Sequence, residues 1–145
     1  MIQQIMTVLI GILGGVAVGV QSPIANAIGQ RAGSFTSSLI IHVSGAIVSV
    51  LFLIARRGEQ VQNLRGLPWW MFGAGGLGVL LYLTLNHTIP RLGALAAISL
   101  LIVGQLITGL LIDHFGLLGV AQRSVDLQRI AAVLLLIAGS YLISR

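Results

Sequence analysis

Five stretches of the chain stay apolar long enough to cross a bilayer, and polar residues punctuate each of them at helical spacing. A spanning helix needs about 20 mainly apolar residues. The runs predict helices over about 5–28, 35–55, 69–89, 93–113 and 127–144. Their length and continuity point to helices, because barrel strands are shorter and alternate apolar with polar. The expected fold is therefore an all-α integral membrane protein of five transmembrane helices, with residues 1–145 as one domain.

The links between the runs are short. GQRAGS joins the first two, and RRGEQVQNLRGLP joins the second pair. There Pro68 and Trp69-Trp70 mark a helix start with an aromatic anchor at the interface. Pro90-Arg91 allows only a tight antiparallel hairpin between the third and fourth helices. In HFGLLGVAQRSVD, either Ser124 or Asp126 is placed to cap the fifth helix.

The polar positions gather on faces. At about 100° per residue, Gln4, Thr7, Gly11, Gly15, Gly19, Ser22, Asn26 and Gly29 share an arc of about 120°, with Gln21 on its shoulder. Glycines spaced as at 11, 15 and 19 permit close helix approach. Ser38, His42, Gly45 and Ser49 share a face of the second helix, and Gly75, Gly78, Tyr82 and Asn86 a face of the third. Gly93, Ala97, Gly104 and Thr108 do so in the fourth, with Gln105 beside them. The fifth helix shows only Ala131, Ala132, Gly139 and Ser140 before Tyr141.

A rise of about 1.5 Å per residue puts Gln21, His42, Tyr82 and Ser99 within about 8 Å of mid-membrane, and Gln105 near the centre. Asn26 and Asn86 sit further out on the same side. Taken singly, each such residue reads as interhelical glue worth about 0.6 kcal/mol per bond. Taken together, they read as the lining of a polar cavity. The candidate solute-binding residues are Gln21, Ser22, Asn26, His42, Tyr82, Asn86 and Gln105. Pro23 either breaks the first helix, exposing backbone groups to a ligand, or follows a span that ends near Val20.

Composition agrees with the membrane reading. The chain is 57% hydrophobic and 8% charged, with a mean hydropathy of +1.04. The net charge of +5 does not indicate nucleic acid. All the basic residues are arginines, and they lie between the apolar runs rather than on one face. Arg56, Arg57, Arg65, Arg123 and Arg129 fall on the N-terminal side of the membrane, and Arg31, Arg91 and Arg145 on the other. Five against three weakly favours the N-terminal side in the cytoplasm, and a bias of two charges leaves insertion both ways open. The N-terminal MIQQIMTV lacks the positive flank of a secretory signal and reads as retained, despite Ala25-Asn26-Ala27. No internal repeat is visible, so an inverted-repeat transporter would need a second chain.

Chemistry-bearing residues are few. Without cysteine, disulfides and thiolate sites are excluded. Glu59 and Asp126 fall in solvated loops. Asp113 ends the fourth helix, where a carboxylate needs a partner, and Arg129 and Arg123 are the candidates. The pair is either a salt bridge closing a hairpin or, with His114, a proton or cation relay. His42 either bonds Ser38 or a carbonyl, or contacts solute or protons, since an imidazole titrates near neutral pH. His87 lies near the interface and reads as locally satisfied. The three histidines lie on separate helices at different depths, which argues against a metal site. No phosphate loop and no nucleophile–base set is present, so neither an enzyme nor a cofactor is expected.

The chain resembles the small five-helix YdcZ-like family of the drug/metabolite transporter superfamily. The resemblance covers the whole length and rests first on Gln21, Pro23, Asn26, Gly33-Ser34 and Gly45. It continues through Pro68-Trp69-Trp70, Gly75-Gly76-Leu77-Gly78 and Pro90-Arg91-Leu92-Gly93-Ala94. It ends on Gly104-Gln105, Asp113-His114-Phe115-Gly116 and Arg129, with GQLITGLLIDHFGLLG the most specific stretch. The resemblance implies a multi-pass, exporter-like protein of the bacterial inner (cytoplasmic) membrane. Members look like half of a ten-helix inverted-repeat transporter, expected to pair antiparallel with a second copy or a sister chain. Small multidrug exporters, a related group, carry a membrane-embedded glutamate in the first helix. This chain has no acid there, so their coupling mechanism does not transfer. The expectation is an antiparallel, dual-topology homodimer moving a small organic solute by alternating access. The alternative is an accessory or heteromeric subunit of a larger membrane complex.

Overall fold

A computed structural model describes residues 2–56 and 61–143. The expectations for Arg57, Glu59, Arg145 and the helix end at Ser144 lie outside the described residues. Among the described residues there are four α-helices: α1 (Ile2–Ala32), α2 (Ser34–Ala55), α3 (Gly75–Phe115) and α4 (Leu127–Ile143). Turns of 3₁₀-helix at Val61–Gly66, Trp69–Ala74 and Leu117–Gly119 lie between them. Among the described residues there is no strand. α1, α2 and the stretch Trp69–Phe115 are long and apolar enough to cross a membrane, and α4 is a shorter apolar helix. In lipid, helices keep every backbone group bonded within one segment, which long uninterrupted apolar runs allow.

Pro23 neither breaks α1 nor follows its end, since the helix runs through it to Ala32. A proline inside a helix withholds one N–H, here from the carbonyl of Gly19, and the flanking turns hold the rest. The helix stops at Ala32 for a different reason. Gly33 adopts φ 93° and ψ 150°, a conformation costly to any residue with a Cβ. Its N–H bonds the Gly29 carbonyl at 2.9 Å and its carbonyl accepts from the Ser37 N–H at 3.0 Å, so one residue ends α1 and starts α2.

α3 is 41 residues long and contains both Pro90 and Gly93. Gly93, at φ 80° and ψ 162°, interrupts the helical dihedrals. At the far end of α3, Gly116 turns left-handed, at φ 61° and ψ 35°. The Arg123 N–H then reaches back to the Asp113 carbonyl at 2.8 Å. Asp126, rather than Ser124, caps α4, its Oδ1 accepting from the Arg129 N–H at 2.8 Å.

The chain divides into two compact units, one ending at His87 and the other beginning at Thr88. Among the described residues of the first unit, those buried are Ser22, Ala25, Ser37, Ser38, Tyr82, Leu85 and Asn86. Four of these seven are serine or asparagine, so this core is a polar seam rather than an oil drop. Away from the seam the helices are bare. Residues 2–18 of α1 and 43–55 of α2 are exposed, with Leu13 and Phe52 more than half open. In the second unit, Ile89, Ala96, Ala97 and Ser140 are buried.

Candidate functional site

The seam of the first unit is built from small residues that let polar side chains come close. Ser22 Oγ donates to the Val18 carbonyl at 2.7 Å, one turn back. Ser37 is fully buried, and its Oγ donates to the Ala25 carbonyl at 2.6 Å, stitching α2 to α1. Ser38 continues the line toward His42. The His42 Nδ1 lies 2.7 Å from the Ser38 carbonyl and 3.2 Å from Ser38 Oγ. A carbonyl only accepts, so in the short contact Nδ1–H is the donor.

The Nε2 edge of His42 rests on Gly78 of α3, where an added Cβ would overlap it. The ring also meets Tyr82 edge-on, with centroids 5.5 Å apart and planes at 90°. One turn further along α3, the Asn86 carboxamide occupies the space where a Cβ on Gly29 of α1 would sit. Two glycines, one on α1 and one on α3, thus act as sockets for polar side chains of neighbouring helices.

Gln30 is a residue of this site that periodicity did not select. Its Nε2 donates to Asn26 Oδ1 and to the Asn86 carbonyl, both at 3.3 Å. The second bond has a local cause. In a helix the Asn86 carbonyl would take the N–H of residue 90, and that residue is proline. A proline four residues after a candidate site residue was the signal that its carbonyl needed an outside donor. Gln21, by contrast, is exposed, and Asn26 is half-buried.

Gln105, Asp113 and Arg129 belong to the second unit, apart in the chain from the seam residues. They border a recess of about 330 Å³, walled by apolar side chains that include Leu110, Val133 and Leu136. Arg129 Nη1 stands 3.4 Å from Asp113 Oδ2, and each side chain is about one-third exposed. His114 takes no part in that pair: its ring packs edge-on against Phe115 at 4.8 Å, and its carbonyl accepts from Gln122 Nε2 at 2.9 Å. The second unit therefore holds an amide and an ion pair around an apolar recess, whereas the seam residues named above include no carboxylate and no arginine.

Comparison with known proteins places these features in a family. Residues 6–142 match the family described as "Putative inner membrane exporter, YdcZ". The chain is 28% identical over 148 residues to the inner membrane protein YdcZ of Escherichia coli (strain K12), an alignment covering 98% of this chain and 97% of that protein. No solved structure matches the chain.

Proposed function

Because the chain belongs to the YdcZ family of inner-membrane exporters, a family of transporters rather than enzymes, we infer that two antiparallel copies of it move a small organic solute by alternating access. The protein is a multi-pass protein of the inner membrane. The observation that carries the proposal is the polar seam: His42, Tyr82, Asn86 and Ser22 are drawn together in mainly apolar helices, of which residues 2–18 of α1 and 43–55 of α2 are exposed. In lipid, bare apolar flanks cost nothing, but a row of amides, an imidazole and a phenol is retained only where it bonds or binds something.

In this reading the chain has five spans. Forty-one residues of unbroken helix would reach about 60 Å, twice the hydrocarbon thickness of about 30 Å. The interruption at Gly93 divides α3 into two spans of ordinary length. With α1, α2 and α4 these make five, and an odd count cannot form an inverted repeat within one chain. The weak arginine bias leaves both orientations open to the same sequence. A second copy, inserted upside down, supplies the missing half. The stripe Gly11, Gly15 and Gly19 offers it a place to dock, since nothing lies within 4 Å of a Cβ added at any of the three.

Solute is met in the first unit by Ser22, Asn26, His42, Tyr82 and Asn86 of the seam and by the exposed Gln21, while Gln105 lines the separate recess of the second unit. Asp113 and Arg129 brace the α3–α4 connection, with His114 beside them. The lining is amides, a phenol, an imidazole and aliphatics without a carboxylate, so the cargo is a small molecule with polar and apolar parts and no fixed cation. Reconstitution tests this. Liposomes containing this chain alone should release or accumulate such solutes. Flux that appears only after a sister chain is added would replace the homodimer by a heteromeric transporter, and no flux with either would leave an accessory subunit.

A further inference from the structure

Asn86 differs from the other buried polar side chains of the described residues. It is 5% exposed, yet neither its Oδ1 nor its Nδ2 has a hydrogen-bond partner. Buried carboxamides nearly always bond something, and leaving both ends dry raises the free energy of the packed state. Packing alone does not call for an amide here. Leucine fills a similar volume without that penalty. Nor is Gly29, the residue the carboxamide rests on, needed for a turn, because it lies inside α1. A helical glycine is less favourable than alanine, and what it provides is room for Asn86. Two more carboxamides stand at the same place, since Gln30 bonds both Asn26 and the Asn86 backbone.

The geometry points to a gated recognition subsite: the Gly29–Asn86 contact is its closed state, and the Asn86 carboxamide is the group that reads the solute when α1 moves off. This deepens the exporter reading above and rests on it. In the closed state the amide is dry and unpaired. Once open, it offers one acceptor and one two-hydrogen donor side by side, flanked by the amides of Asn26 and Gln30. The matching ligand is a neutral group that both donates and accepts, a carboxamide before others. An ionised group would meet no opposite charge among these amides to offset its desolvation. An apolar group would leave the carboxamide unpaired. Only a matching solute gains more from the open state than from the closed one, which is the condition for a ligand to shift such an equilibrium.

The chain has no cysteine, so Asn86→Cys places a single thiol at the contact. In liposomes this thiol should react slowly with N-ethylmaleimide. Adding Gly29→Ala, which wedges the contact apart, should speed the reaction by about tenfold or more, a shift of one decade in the opening equilibrium. A second arm does not depend on that variant folding. Radiolabelled benzamide should bind the purified wild-type protein and benzoate should not, and Asn86→Leu should weaken benzamide binding by about tenfold. Labelling that Gly29→Ala leaves unchanged would overturn the gate. Absent benzamide binding, or binding indifferent to Asn86→Leu, would overturn the recognition role. Neither readout requires transport, so a chain that opens and binds but moves no solute would sink the exporter reading and leave the gate standing.

Discussion

The Nε2 edge of His42 on α2 is seated against Gly78 of α3, in space that even a methyl group would fill. The ring is held there from behind by Ser38, whose carbonyl lies 2.7 Å from Nδ1. The two helices are thus registered by one aromatic side chain on one missing side chain. Gly78→Ala should destabilise the protein by about 1–3 kcal/mol through overpacking. Combining it with His42→Ala should recover part of that loss, because the two substitutions act on one contact. Thermal unfolding in detergent, followed by Trp69 and Trp70 fluorescence, measures the cycle. Additive losses would mean that the ring and the glycine are not coupled.

Ser37 supplies a second tie, to the Ala25 carbonyl. Membrane hydrogen bonds average about 0.6 kcal/mol and rarely exceed about 1.7 kcal/mol. Ser37→Ala should therefore cost less than Gly78→Ala in the same unfolding assay. The Ala25 carbonyl keeps its place in the helical ladder, and alanine fits the small space. A larger loss for Ser37→Ala would show that this bond, not the glycine socket, holds the seam.

Much of this architecture was legible before any coordinates. Long apolar runs announced membrane helices, and the stretch from Gly104 to Gly119 pointed to the family. The faces that carry Ser38 with His42, and Gly78 with Tyr82 and Asn86, followed from spacing alone. What spacing could not supply is which face meets which. Gly29 and Asn86 are far apart in sequence, and nothing local in either helix names the other. Gln30 was overlooked because the first helix was expected to end near residue 28, leaving Gln30 in the GQRAGS link, whereas α1 runs to Ala32; its role arises from the N–H that Pro90 lacks. Pro23 misled in the other direction. A proline inside a long apolar run need not end a helix, since it removes one hydrogen bond while the surrounding turns keep theirs.

The two carboxylates near the α3–α4 connection differ in what they hold. Asp126 accepts the Arg129 N–H at 2.8 Å as an N-cap, whereas Asp113 pairs with the Arg129 side chain at 3.4 Å with both partners partly exposed. Caps of this kind are worth about 0.5–2 kcal/mol, and exposed ion pairs about 0–1 kcal/mol. Asp126→Ala should therefore lower stability more than Asp113→Asn. Salt should weaken the Asp113 contribution further. Thermal unfolding at low and high ionic strength tests the order, and a dominant, salt-insensitive Asp113 would reverse it.

Gly93 is held at φ 80° and ψ 162°, a region essentially restricted to glycine. Gly93→Ala should cost about 1–3 kcal/mol and reduce the yield of folded protein. Gly45, inside α2 with nothing within 4 Å of an added Cβ, provides the control. Gly45→Ala should be neutral or stabilising by up to about 1 kcal/mol. Purification yield and unfolding temperature of the two variants check this, and equal behaviour would deny Gly93 its role in dividing α3.

The central claim is that one sequence, inserted in both orientations, builds the transporter. It is tested most directly by locating the C-terminus in living cells. One set of fusions carries green fluorescent protein, active only in the cytoplasm, and another carries alkaline phosphatase, active only outside it. Comparable signal from both reporters is the predicted result. Signal from one reporter alone would mean a single orientation and would contradict the antiparallel homodimer.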